Sequence, residues 1–265
     1  EMLRSLVGSE MCIRDSLKRA WAEIDLDALE HNYNEIKKLA KGKDILAVVK
    51  ANAYGHDDKA VCLKLQELGV KYYGVSNLWE GEKLRCHGIT GTILTFGYTD
   101  EDYFDELLEY GITQTAGSVQ YAKQLSDYAV SKGVKLPVHI KVNTGMTRVG
   151  IDSQQEMLDI LDMPGLDCKA AYTHFAAADS LDPSDVEYTD RQQEKLMKIA
   201  KDKGLLIHSQ NSGGIIYHGD FGGDIVRAGV ILYGHYPNYP LEVPFDMKSV
   251  MTVKSVVSQL KTCLL

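Results

Sequence analysis

The 265 residues carry a net charge of −8, with 45% apolar and 25% charged residues. That composition excludes wholesale disorder, the negative balance argues against a nucleic-acid partner, and no apolar run approaches the ~20 residues of a bilayer span. The cysteines, Cys12, Cys62, Cys86, Cys168 and Cys263, are odd in number, scattered and without a C-x-x-C pair. They read as reduced thiols of a cytoplasmic protein, with neither a disulfide framework nor a metal site.

The chain opens on Glu1, and residues 5–16 show no helix or strand period. We set residues 1–18 aside as a non-native leader. Asp25 or Asp27 suits the cap of a helix whose Leu29, Tyr33, Ile36 and Ala40 recur at helical spacing. Eight strand-like runs follow, at residues 45–49, 72–75, 92–96, 112–115, 136–142, 166–173, 205–209 and 224–226. Helical patterns such as 58–68 and 119–131 separate them. Gly69, Gly111, Gly133 and Gly204 stand where left-handed C-caps are expected. Short apolar strands alternating with helices predict a parallel sheet covered on its outer face. Eight such units over residues 19–250 fit an α/β fold of the (β/α)8 barrel type. The alternative is an open doubly wound sheet, which the missing G-x-G-x-x-G after the first strand disfavours for a dinucleotide enzyme. From Thr252 the chain again reads as a half-buried strand and then stops. Residues 251–265 are expected to be the first strand of a truncated C-terminal β-domain, left without a partner.

In such a barrel the chemistry lies just after the strands. Lys50 closes the first run in AVVKANAYGH. A lysine so placed serves Schiff-base chemistry, or merely snorkels to solvent. Tyr54, four residues on, reaches the same mouth. Lys141 ends the fifth run in KVNTGMTRVG, where Thr144-Gly145-Met146 reads as a tight turn bringing Arg148 back over the barrel. His174 follows the sixth run in AYTHFAAAD. After the seventh comes HSQNSGG: Asn211 suits a helix cap, while Ser212, Gly213 and Gly214 let an anion approach bare amides. After the eighth, in DIVRAGVILYG, Arg227 points from the strand, and Gly229 leaves the next amides, Val230 included, open. Singly, each reads as a loop, core or turn residue. Five loops offering one suitable group apiece at one barrel end make a candidate site, with the seventh and eighth as its phosphate end.

AVVKANAYGH, KVNTGMTRVG, THFA, NSGG and RAGVILYG, in this order and preceded by RAWAEIDLDALEHNYNEIKKL, resemble the alanine racemase family over residues 19–260. The phrase ADSLDPSDVEYTDRQ and the RAW start look closer to its alanine/serine racemase branch, found in vancomycin-resistance clusters. The resemblance implies pyridoxal 5′-phosphate on a (β/α)8 barrel, a following β-domain, a homodimer, and interconversion of L- and D-alanine, possibly extended to serine, for bacterial peptidoglycan. It matches Lys50 to the lysine that carries the cofactor as a Schiff base and moves the α-proton on one face. Tyr54, Ser212 and the amides of Gly229 and Val230 match phosphate contacts, with Asn211 in the same motif. Arg227 matches the arginine facing the pyridine nitrogen, and His174 its partner. Arg148 matches the arginine near the phenolic oxygen and the substrate carboxylate, and Lys141 a lysine carbamylated in many members. A guanidinium pKa above ~12 keeps Arg227 charged, so it hands no proton to the ring, which becomes a weaker electron sink. Asn143 and Ala228 depart from an aspartate and a proline frequent at those places.

In the family the opposite-face acid is a tyrosine from the β-domain of the other subunit, outside this chain. The chain by itself is therefore expected to bind the cofactor and racemise poorly. The alternative is a single-domain pyridoxal-phosphate carrier of the same fold without racemase activity. The N-A-Y-G-H after Lys50 and the Arg148 loop speak against it.

Overall fold

In this computed structural model the structure describes residues 19–237 and 244–262. The leader read into residues 1–18, and Cys12 and Cys263, lie outside the described residues. Strand β1 (Ala20–Ile24) leads into α1 (Leu26–Leu39). Then come β2 (Asp44–Val48) with the short α2 (Lys50–Tyr54) and α3 (Asp58–Glu67), β3 (Tyr72–Val75) with α4 (Leu78–Cys86), and β4 (Thr92–Thr95) with α5 (Phe104–Glu109). They are followed by β5 (Thr113–Ala116) and α6 (Val119–Ser131), β6 (Leu136–Lys141) and α7 (Gln154–Leu161), and β7 (Leu166–Tyr172) and α8 (Pro183–Ala200). Last are β8 (Leu206–His208) and α9 (Ser212–Tyr217), β9 (Ile225–Ala228), and β10 (Met251–Ser255).

Local chemistry explains the boundaries. Asp25, not Asp27, caps α1 by accepting the amides of Asp27 and Ala28 at 3.0 and 2.9 Å. Ser153 and Glu156 form a capping box on α7. The helix-ending glycines have the positive φ expected of them: +88° at Gly69, +57° at Gly111, +69° at Gly133 and +71° at Gly204.

Eight strands form one parallel sheet in the order β8-β7-β6-β5-β4-β3-β2-β9. The last strand thus pairs with the first, Leu46 beside Arg227 and Ala47 beside Ala228. Between β8 and β9 the ring is drawn together by Asp224 N to Ile207 O at 2.8 Å and Arg227 N to Gln210 O at 2.9 Å. The architecture is the (β/α)8 barrel, and the open-sheet alternative is excluded by this wrap. Inside the ring pack Leu46, Val48, Leu94 and Ile225, with Phe96 against them. A Cβ on Gly74 would stand 2.6 Å from the Phe96 ring, so the bare backbone there makes room for it. The larger apolar layer lies outside, between sheet and helices, where Val61, Leu65, Ile93, Leu125 and Leu196 are fully buried. No described helix is long and apolar enough to cross a membrane.

One expectation is corrected. The strand at residues 251–255 is not left unpaired: β10 runs antiparallel to β1, with Ala22 opposite Val253 and Ile24 opposite Met251. Its partner comes from before the barrel, a segment in which the sequence reading saw no strand.

Candidate active site

Of the site residues singled out in the sequence, all but Gly214 line one cavity of about 390 Å³ at the C-terminal ends of the barrel strands. Register explains why they meet. Lys141 on β6 is the neighbour of Tyr172 on β7, and Tyr172 of His208 on β8. Lys50 and Gly229 follow the paired strands β2 and β9. A ring of strand ends therefore delivers one group after another to the same opening.

The chain leaves β2 through an unusual turn. Ala51, Asn52, Ala53, Tyr54 and Gly55 take φ of +53°, +56°, +53°, +54° and +85°, a turn of left-handed helix. Asparagine and glycine tolerate this region, but Ala51, Ala53 and Tyr54 each bear a steric penalty of roughly 1–2 kcal/mol. Lys50 is half-buried rather than enclosed. Its Nζ lies 6.0 Å from the centroid of the Tyr54 ring.

At one end of the cavity two hydroxyls and a backbone amide converge. Ser212 Oγ accepts the Gly229 amide at 3.1 Å. A Cβ on Gly229 would stand 3.4 Å from the Tyr54 hydroxyl and 3.6 Å from Ser212 Oγ, so the glycine leaves open the space both face. Asn211 caps α9 by accepting the Gly214 amide at 3.0 Å, which therefore is not bare as the sequence reading had it. Gly213 serves packing: an added Cβ would lie 2.7 Å from the Ala178 carbonyl oxygen. Val230 sits at the rim, partly buried.

At the opposite end Arg227 is 3% exposed. Its guanidinium donates to the carbonyls of His208 (2.8 Å), Thr173 (2.7 Å) and Ser209 (2.9 Å). It also reaches His208 Nδ1 at 3.2 Å and His174 Nδ1 at 3.4 Å. Burial lowers its pKa to about 10, below the value above 12 assumed from sequence. It still carries its charge at neutral pH. His174 is pushed down to about 3, by burial first and then by Arg227 and the nearby lysines and arginine. Both imidazoles beside Arg227 are therefore neutral. His208 stacks on Tyr172 with 4.7 Å between centroids and 7° between planes.

Lys141 is 7% exposed, and its Nζ lies 4.8 Å above the Tyr172 ring. Burial, with Arg227 and Arg148 adding repulsion, holds its pKa far below the usual lysine value. Arg148 is exposed at the mouth. The loop carrying it is shaped by Asn143, which accepts the amides of Gly145 (3.2 Å) and Thr147 (3.0 Å) and donates to Asp152 at 3.0 Å.

The sequence profile described as "Alanine racemase, N-terminal domain" matches residues 24–237. This chain belongs to the alanine racemase family. An alanine racemase of Clostridium perfringens is 37% identical over 263 residues, which are 95% of this chain and 66% of that protein. Among solved structures, the alanine racemase of Clostridium difficile 630 superposes with a TM-score of 0.84 at 34% identity, over 91% of this chain and 65% of that one. A histidine racemase from Leuconostoc mesenteroides superposes with a TM-score of 0.83 at 26% identity, over 91% and 66% of the two chains. The chain thus spans about two thirds of the length of the relatives it matches.

Membership of the alanine racemase family gives context to residues the sequence reading missed. Tyr172 and His208 lie in predicted strands but were not singled out, because an inward-facing aromatic at a strand end reads as core. The only available signal was their place one or two residues before the loops that carry His174 and Asn211. Tyr172, Phe96 and Met146 line the cavity, while His208 stands behind Tyr172 and Arg227.

Proposed function

We propose that this chain is the pyridoxal-phosphate-binding barrel of an amino-acid racemase that interconverts the enantiomers of alanine. The observation that carries the reading is a buried, charged Arg227 without a carboxylate partner among the described residues, on the same cavity as Lys50 and the Tyr54–Ser212–Gly229 cluster. The donor set fits the cofactor. Two hydroxyls face the space beside Gly229 that a phosphate needs, while the Gly229 amide is taken up by Ser212 Oγ, and a fixed cation flanked by neutral imidazoles suits a ring nitrogen. Pyridoxal phosphate, when bound, withdraws electrons from the substrate Cα and acidifies its C–H.

The roles of the side chains follow from what each can do. Lys50 Nζ would hold the cofactor covalently and, once displaced from it by the substrate amine, would be the free amine placed to take and return a proton at Cα on its own face. Tyr54, Ser212 and the Val230 amide would hold the phosphate; the Gly229 amide, expected to be open, instead donates to Ser212 Oγ and fixes that hydroxyl, and Asn211 fixes the loop that presents Ser212. Arg227 can only donate, so a ring nitrogen placed against it would receive a hydrogen bond but no proton, which would moderate electron withdrawal. His174 steadies Arg227. Arg148 meets the substrate carboxylate. Lys141, a buried amine whose pKa is held well below the usual lysine value by burial and by the charges of Arg227 and Arg148, is suited to add carbon dioxide and lose a proton to solvent, leaving a carbamate anion beside those cations.

Alanine is favoured because the relatives at 35–38% identity are alanine racemases, whereas the histidine racemase is more distant at 26%. The free thiols of Cys62, Cys86 and Cys168 support a reducing, cytoplasmic setting. A homodimer is proposed from the family.

The test is to add pyridoxal phosphate, reduce with borohydride and map the labelled peptide. The label is expected on Lys50. A label on Lys141, or none, overturns the reading. Deuterium exchange at Cα, followed separately for D-alanine, L-alanine and histidine, then reports the substrate.

A further inference from the structure

The left-handed turn after β2 has no local reason to form at Ala51, Ala53 or Tyr54. Its support comes from one face of α4. Glu80 lies in the first turn of that helix, and its carboxylate spans two backbone amides. One oxygen accepts from Ala51 N at 2.9 Å, inside the turn. The other accepts from Ser76 N at 2.7 Å, just past β3. One turn further along α4, Lys83 donates to Asp58 at 2.9 Å and approaches Asn52 Oδ1 at 3.4 Å. Asn52 Oδ1 in turn accepts the Asp58 amide at 3.1 Å. The first two residues of the left-handed segment, and Asp58 just beyond it, are thus tied to a neighbouring βα unit through side chains that lie outside the cavity, since neither Glu80 nor Lys83 lines it.

We propose that Glu80 is a positioning residue: by bridging Ala51 N and Ser76 N it holds the left-handed turn that sets Lys50 and Tyr54 on the same cavity. Winding these residues the other way would carry Tyr54 to the mirror side of the strand end, away from Ser212 and Gly229. A carboxylate is required because both partners are N–H donors, and it offers an acceptor to each. A glutamine offers one oxygen and turns an NH2 toward the other donor. The role in cofactor binding rests on the function proposed above; the hold on the turn does not.

Two readouts on the same chain separate these levels. Amide hydrogen exchange across Ala51–Gly55 without cofactor reports the turn. Titration with pyridoxal phosphate and the rate of borohydride trapping at Lys50 report its consequence. Both are measured well below the melting temperature, so that a general loss of stability does not register. In Glu80→Gln, exchange in the turn is expected to rise about tenfold or more, and trapping at Lys50 to slow about tenfold, as the loss of one charge-assisted hydrogen bond allows. Adding Ala51→Gly and Ala53→Gly to that variant, which removes the penalty of positive φ, should restore trapping. Unchanged exchange in Glu80→Gln overturns the hold on the turn. Faster exchange with trapping at the parent rate overturns the positioning of Lys50. If the parent chain traps no cofactor, the functional reading fails, and the exchange result still decides whether Glu80 holds the turn.

Discussion

Arg227 Nη1 and His208 Nδ1 meet at 3.2 Å, and only the arginine can donate. His208 must therefore keep its proton on Nε2. That nitrogen lies 3.1 Å from His139 Nδ1, which must accept. One buried guanidinium thus dictates the tautomers of two imidazoles in a line leading away from the cavity.

The line makes stability depend on pH. Burial pushes His139 down to about 4, and also holds His208 well below its ordinary value of 6.5 with help from His139 and Arg227. The unfolded chain binds these protons near pH 6.5, and the folded chain does not. Stability is therefore full above about pH 6.5 and falls as pH drops toward 4, by ~3 kcal/mol for a group shifted this far. The urea midpoint should fall across that window, and His139→Gln should flatten the slope by close to one proton. An identical slope in the variant would show that His139 titrates normally.

Substitutions at Arg227 should act on the fold before they act on chemistry. The side chain satisfies three backbone carbonyls at once. Arg227→Lys keeps the charge but not the fork, and Arg227→Glu sets an anion against the same carbonyls. A cost of about 3 kcal/mol or more is expected for the first and a larger one for the second, read as urea midpoints of the cofactor-free chain. Parent-like stability in Arg227→Glu would mean that the guanidinium is not held as described.

Lys141 should take up carbon dioxide. With carbon-13 bicarbonate, a carbamate resonance is expected near neutral pH and should vanish in Lys141→Ala. Its absence from the parent at saturating bicarbonate would remove the proposed carbamate.

Gly213 and Gly214 should part company. Gly213→Ala drives a Cβ to 2.7 Å from backbone at Ala178, whereas at Gly214 the nearest atom is the Gln210 Cβ at 3.3 Å. The first should cost ~1–3 kcal/mol and the second less, measured as melting temperatures. Equal losses would contradict the close approach of the Ala178 backbone.

Much of this architecture was legible in the sequence, for identifiable reasons. Each barrel strand is a short apolar run that announces itself locally, and glycine caps such as Gly69 and Gly204 carry their own conformational signature. The cavity residues stood out because lysine, arginine and histidine are conspicuous at the end of an apolar strand. What stayed hidden was set by partners distant in the chain. Nothing in residues 20–24 points to residues 251–255. The turn at Ala51–Tyr54 contradicts local preference and depends on Glu80. Tyr172 and His208 differ from core residues only in what lies above them. The bare amide expected at Gly214 was lost to Asn211, a cap that was itself predicted.

The β1–β10 ribbon also dictates an order of events. Glu23 and Lys254 meet across 231 positions of chain, so the earliest described strand to be synthesised waits for the latest. Every barrel strand can find its sheet neighbour before β10 exists. Among the described residues the ribbon has two strands, and Val253 on β10 is 73% exposed. With so distant a closure and so little buried surface, it forms after the barrel and opens before it. Opening releases the segments on either side of the barrel together, as a single latch whose two halves flank the barrel in the chain.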